Sequence, residues 1–308
     1  MSNGKLPRFA GIMTTAHLLE AGVSAARIRT LVQEGVLSPI GHGVYVRAAL
    51  AAKVQASQAG GEVLRLAAVL AVGQPSAVGS HESAAVIHGL DLLGRRAAGI
   101  VAVTRPPGAS PRGRPGVRVH VAALPAGHVT VRGGIRVTSV ARTVVDLART
   151  SSFREGVVAA DSALRGQLTT KDELRAVLAD CARWPGLGRA RMVVDFSDAL
   201  SESALESISR VAFREHGIPP PELQAWVGGD EGVIGRADFL WRRYGTIGEA
   251  DGAVKYADPH RAVAQLRRDA KLREAGFQVV HFTWYEIVQV PWQVAASLRS
   301  AFERGGGG

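Results

Sequence analysis

The chain has 308 residues, a length that suggests about two domains, or three if one is a small module. Hydrophobic residues make up 46% and charged residues 21%, which excludes global disorder, collagen-like repeats and coiled coil. Thirty-seven Lys and Arg against 27 Asp and Glu give a net charge of +10, which favours a polyanionic partner such as nucleic acid.

Only five of the cations are lysine, and the Ala, Gly, Val and Arg excess is what GC-rich codon usage produces, so distribution says more than the total. Residues 1–59 carry a net +4, residues 60–200 a net +7 and residues 201–308 a net −1, so the basic partner surface is expected in the first two-thirds. The most apolar stretch, Val63 to Val72, is interrupted by Arg65 and is too short to span a bilayer. The opening residues lack the apolar core of a secretory signal. A single cysteine, Cys181, supports neither an internal disulfide nor a cysteine metal cluster. A cytoplasmic location is expected.

In chain order, Thr14 or Thr15 is expected to cap a helix through Glu20 that Gly22 ends, and Ser24 to cap a second helix to Glu34 with Gly35 as its stop. Val36–Leu37 and Val44–Val46 around a Gly-bearing tip then read as the two strands of a wing. On the second helix Val23, Ile28, Leu31 and Val32 form the apolar stripe, and Ala26, Arg29, Thr30 and Gln33, with Arg27 beside them, form the opposite face. Arginine chelates guanine and glutamine pairs with adenine in a major groove, and a small alanine allows close approach. The alternative is the solvated face of an ordinary helical hairpin; the wing favours DNA, with Lys5, Arg8, His42 and Arg47 as phosphate contacts.

The middle region reads as helices at 62–72 and 82–88, strands at 100–104, 117–121 and 135–137, then three helices capped near Ser139, starting at Phe153, and capped near Thr170. From Leu92 to Val145 there is no acidic residue, while nine arginines from Arg95 and Arg96 to Arg142 fall in that window. Such a block is an electrostatic footprint for phosphates. Inside it Pro111-Arg112-Gly113-Arg114-Pro115 resembles an AT-hook core, whose arginines enter a narrow minor groove; a Pro- and Gly-rich surface loop is the plainer alternative. A break at Trp184-Pro185-Gly186 precedes the last domain.

Residues 201–308 read as α-β-β-β-α-β and a final helix. Strand reversal centred on Arg243 and Tyr244 sets Asp238 opposite Glu249, alternation keeps Asp251 on that face, and Glu206 reaches it from the preceding helix. Hard oxygen ligands of this kind hold Mg²⁺ or Mn²⁺ against a phosphodiester, and Lys255 follows to stabilise developing charge. Pairing of these acids with Arg236, Arg267, Arg268 and Lys271 is the alternative.

The string Gly11–Ala48 resembles the N-terminal winged helix of the AbiEi-type antitoxin family of type IV toxin–antitoxin pairs. SHESAAVIHGL at Ser80–Leu90 and VTSVARTVVDLA at Val137–Ala148 look like its actinobacterial branch. That resemblance implies a repressor binding repeats in its own promoter and a nucleotidyltransferase-like toxin, encoded nearby, as partner. The strings Ser203–Glu206, Gly235–Trp241, Glu249–Gly252 and Leu266–Trp284 look like the Vsr-related PD-(D/E)xK nuclease fold, with Asp238 and Glu249 at the acidic positions and Asp251 where the strict motif has lysine.

The expected architecture is α+β: a winged helix-turn-helix at 1–55, a basic α/β domain at 60–195 and a Vsr-related nuclease-like domain at 200–304. The expected function is sequence-specific double-stranded DNA binding by an antitoxin-like transcriptional repressor, with a homodimer as one assembly. A metal-dependent endonuclease guided by the winged helix is the competing class, and a last domain serving only dimerisation or toxin contact is a third.

Overall fold

Two short helices and a hairpin open the computed structural model, which describes residues 11–57, 59–94, 99–229, 232–252 and 259–306. The Thr14 side chain accepts from the His17 amide to start α1 (Thr15–Glu20), and Ser24 accepts from the Arg27 amide to start α2 (Ala25–Gln33). Each satisfies an amide that the first helical turn leaves without a partner. Gly35, at φ +68°, lets the chain leave α2 through a left-handed residue. Strands β2 (Leu37–Gly41) and β3 (Val44–Arg47) form the wing, and β1 (Met13–Thr14) pairs with β3 to complete a three-stranded sheet. Leu18, Ile28 and Leu37 are its buried centre, with Val23, Leu31 and Val32 packed against them.

The chain divides into two compact units, the first comprising Met1–Ala163 with Gln167–Phe196 and the second Leu164–Gly166 with Ser197–Gly308. In the first, helix α3 (Ala48–Gln55) follows the wing directly, then come α4 (Gly60–Ala71) and α5 (His81–His88). Val46 of the wing and Ala51 and Val54 of α3 belong to the same buried cluster as Val63 and Leu66 of α4 and Val103 and Val137 of the sheet beyond. Strand β3 therefore packs into the apolar core of the segment after it, while α1, α2 and the start of β2 keep a centre of their own. That sheet has the order β6-β5-β4-β8-β7, from β4 (Val78–Gly79), β5 (Val101–Arg105), β6 (Val117–Val121), β7 (Val129–Arg132) and β8 (Ile135–Thr138). Helices α6 (Val140–Thr150), α7 (Phe153–Arg165), α8 (Lys171–Asp180) and α9 (Leu187–Phe196) follow, α6 capped by Ser139 and α8 by a Thr170–Glu173 capping box.

The second unit runs α10 (Ala204–Glu215), β9 (Glu222–Gly229), β10 (Gly232–Trp241), β11 (Thr246–Asp251), α11 (Pro259–Glu274), β12 (Gln278–Thr283), α12 (Trp284–Gln289) and α13 (Pro291–Gly305). Its sheet has the order β12-β11-β10-β9, antiparallel except where α11 carries the chain over to the parallel β11–β12 pair. Phe213, Phe239, Trp241, Phe282 and Phe302 meet edge to face or tilted behind it, with neighbouring ring centroids 5.2–6.3 Å apart. Such geometry suits aromatic quadrupoles, and each side chain adds roughly 1.5–3 kcal/mol of burial. No helix among the described residues is long and apolar enough to cross a membrane.

Candidate nucleic-acid interface

On α2, Ile28 is buried while Ala26, Arg27, Arg29 and Gln33 are exposed. Thr30 is half-buried, and its hydroxyl donates to the Ala26 carbonyl at 3.2 Å. Arg27 faces Glu34 at 3.3 Å, so part of its charge is neutralised within the helix. Arg29 and Gln33 are thus the long side chains of this face best disposed to meet a base edge. His42 at the tip of the wing and Arg47 at the end of β3 are both exposed, as phosphate contacts require. Lys5 and Arg8 lie outside the described residues.

The Arg112–Arg114 loop is exposed and is shaped from beneath by Arg105, whose guanidinium donates to the Ser110 carbonyl at 2.9 Å and the Arg112 carbonyl at 3.1 Å. A side chain at Gly113 would run into the Val117 carbonyl, so glycine there permits the close return of the chain. Arg114 and Arg105 share one cleft of about 490 Å³ with Gly41 and His42 of the wing. The first unit therefore brings the wing tip and the arginine loop to one place, which neither stretch of sequence indicated alone.

Not every arginine of the acid-free window faces outward. Arg142 is fully buried: Nε donates to Asp146 at 2.8 Å and Nη1 donates to the Ala123 carbonyl at 3.0 Å. It belongs to the interior, a correction to its place in the expected footprint. Arg118 is paired with Glu82 at 3.2 Å, Arg136 donates to the Pro75 carbonyl, and Arg95 and Arg96 lie outside the described residues.

In the second unit, the pairing Phe239–Gly248 and Leu240–Ile247, extended one step, sets Asp238 opposite Glu249. Asp238 accepts from the Ala250 amide at 2.9 Å. Glu249 is held by Arg268 of α11 at 2.9 Å, and Asp251 by Nδ1 of His281 at 3.0 Å, while the other ring nitrogen of His281 meets Asp269 at 2.8 Å. Glu206 accepts from Ser203 Oγ, the Glu202 amide and Gln224 at 2.8 Å each, closing the start of its own helix. Among the described residues no group of three or more His, Cys, Asp or Glu side chains is disposed to hold a metal ion. The acids share a face, as the strand register requires, but protein cations and amides engage them, and Lys255 lies outside the described residues.

His281 was not singled out by its sequence, although β11–β12 pairing places it beside Glu249. Its hydrogen bond to Asp251 raises its pKa above the usual imidazole value, against the effect of burial. Burial raises that of Glu206, and the negative charge of Asp238 adds to the shift. A second unforeseen cluster lies in the first unit, where the His81 and His120 rings stack at 3.6 Å beside Arg142, Asp146 and Arg149, and Trp184 lies under both guanidiniums at 4.5 and 4.9 Å. Its members come from four separate stretches, so only the fold gathers them. Cys181 is buried, and burial raises its thiol pKa, as in a core residue.

Two family models match the chain. Residues 5–48 match one described as a transcriptional regulator, AbiEi antitoxin, and residues 77–196 match the AbiEi antitoxin C-terminal domain. The uncharacterized proteins MT2308 and Rv2248 of Mycobacterium tuberculosis strains CDC 1551 and H37Rv are each 30% identical over 167 residues, 54% of this chain and 62% of theirs. The chain thus matches less than two-thirds of the length of these relatives. The crystal structure of the RV2827C protein from Mycobacterium tuberculosis aligns over 60% of this chain and 71% of that chain, with a TM-score of 0.39 and 18% identity.

Proposed function

We propose, proceeding from the AbiEi antitoxin models on residues 5–48 and 77–196, that this protein is a DNA-binding antitoxin that represses transcription by reading a repeat upstream of its own gene. The observation that carries the reading is the exposed face of α2, with Arg29 and Gln33 on a capped helix followed at once by a wing. Arg29 supplies a bidentate donor for guanine and Gln33 the matching pair of groups for adenine, whereas His42, Arg47, Arg112 and Arg114 grip phosphates without regard to sequence. The partner implied by such a role is a toxin, taken here as nucleotidyltransferase-like, and a homodimer would match a repeated operator.

Fluorescence anisotropy on the upstream duplex and on random DNA tests the reading. Arg29→Ala is expected to weaken specific binding by about 1–3 kcal/mol and random binding little. Equal losses on both duplexes would remove the base-reading role. Metal-assisted cleavage by the second unit is the less favoured reading, since Arg268 and His281 engage Glu249 and Asp251. Mg²⁺ or Mn²⁺ titrated calorimetrically into the full chain and into Asp238→Ala would reinstate it if heat appeared only in the unmodified protein and supercoiled DNA were cut there alone.

A further inference from the structure

The polar cluster around Arg142 lines an open-mouthed cavity of about 390 Å³ within the first unit. Its floor is buried: His81 is 3% exposed, and Thr104 and Arg142 are fully buried. Pro107, Val121 and Pro185 stand exposed at the rim. Five buried polar atoms of the residues that line it have no hydrogen-bond partner, namely His81 Nε2, His120 Nε2, Thr104 Oγ1, Arg142 Nη2 and Arg149 Nε. Burying polar groups unsatisfied is costly, and a native interior seldom gathers several of them around one space without something to fill it.

The geometry of the engaged atoms fixes which ones stay free. Asp146 receives Arg142 Nε on one oxygen at 2.8 Å and Arg149 Nη1 on the other at 3.3 Å, so one carboxylate orients both guanidiniums. Trp184 supports both from beneath. Ser80 is the N-cap of α5 but makes no capping bond; its hydroxyl lies 2.9 Å from His81 Nδ1, which leaves Nε2 as the unengaged nitrogen. His81 itself stands at φ +50°, a left-handed conformation that a side chain other than glycine adopts only where its surroundings hold it, and such strain collects at ligand sites.

We propose that this cavity binds a small-molecule phosphate monoester of nucleotide size, its phosphate oxygens held by Arg142, Arg149 and Thr104 and completed by the two stacked histidines. Two guanidiniums against one carboxylate make the floor cationic, and arginine's planar fork matches phosphate. Five free polar groups exceed what the two oxygens of a carboxylate ligand use, whereas three terminal phosphate oxygens employ them all. The apolar rim leaves space for an organic group, at a volume within the ordinary range for small-molecule sites.

The facing charges set the pH dependence. Burial pushes the His81 imidazole well below its ordinary value, with His120, Arg142, Arg149 and Arg118 adding to the shift; burial also lowers His120, against Asp146 and Glu82. Burial thus favours the uncharged form of both rings when the cavity holds no anion. A dianion outweighs the net charge of the floor, so its binding is accompanied by proton uptake on one imidazole at neutral pH, where the monoester is still largely dianionic.

Calorimetry on the full chain with AMP, adenosine and inorganic phosphate tests the proposal. AMP is expected to bind at least 10-fold tighter than adenosine and tighter than phosphate, with proton uptake visible in buffers of different ionisation enthalpy. Arg149→Gln should weaken AMP at least 10-fold. Thr104→Val is the decisive companion, because it removes an unpartnered hydroxyl at nearly constant shape: melting is expected to stay unchanged or rise while AMP binding weakens. Equal binding of AMP and adenosine, or AMP affinity unaltered in both variants, would overturn the site. Displacement of AMP by duplex DNA, with DNA affinity lost in Thr104→Val, would assign the cavity to DNA phosphates and overturn it equally.

Discussion

Arg142 and Asp146 sit one helical turn apart on α6, with relative exposures of 0% and 1%. A buried pair of this kind is held by geometry, and removing one partner leaves an uncompensated charge in the interior. Asp146→Ala is therefore expected to cost about 3–5 kcal/mol in urea unfolding, because Arg142 and Arg149 lose their shared acceptor. A loss below 1 kcal/mol would show the pair to be hydrated. His281 supplies a residue-scale pH effect of definite sign. Its folded pKa is raised by Asp251 and Asp269, so the stability it contributes is complete below the unfolded value near 6.5 and disappears as pH rises through the folded value. Thermal melts between pH 5 and 9 should show that decline, and Asp251→Asn should remove most of it.

At the scale of elements, those with a chemical start signal were legible in the sequence. Ser24, Ser139 and Thr170 each cap the helix their side chains predicted, and the reversal at Arg243 and Tyr244 fixed the β10–β11 register from turn position alone. Two-residue β1 and β4 carry too little alternation to be seen, β7 is half exposed, and α9 begins just after a Pro-Gly break that reads as loop. Arg142 was misread for a related reason: the acid-free window ends at Val145, one residue before the partner that buries it. Candidate DNA contacts were legible as residue types on a helix face, whereas the histidine–arginine cluster required strands and helices from distant stretches. Two predictions belong here. Thr170→Ala should cost about 1 kcal/mol, since it removes one half of a capping box. Arg112→Ala with Arg114→Ala should reduce the slope of log affinity against log salt by about 0.9 for each phosphate left without its cation, and an unchanged slope would detach the loop from DNA.

For the whole molecule, the excess positive charge belongs to residues 1–200, and residues 201–308 are close to neutral. Salt dependence of DNA binding is thus expected to respond to arginines of the first unit and to ignore Lys271→Ala with Arg273→Ala on α11 in the second. A slope that fell equally for both sets would spread the interface over both units.

The continuity of core from Val46 of the wing through Ala51 and Val54 into α4 and the sheet beyond has a consequence for how such proteins diversify. Recombination at the end of β3 would cut through the packing of Val46 against Ala51 and Val54 and expose apolar surface on both fragments, so exchange of residues 11–47 alone is expected to cost stability. On the proposed reading, new sequence preferences would arise by point substitution along the outer face of α2, each change inherited together with the scaffold that holds it. Lineages carrying this arrangement should accordingly show divergent recognition residues on a shared frame, and grafts of residues 11–47 onto foreign partners should aggregate unless α3 and α4 are carried with them.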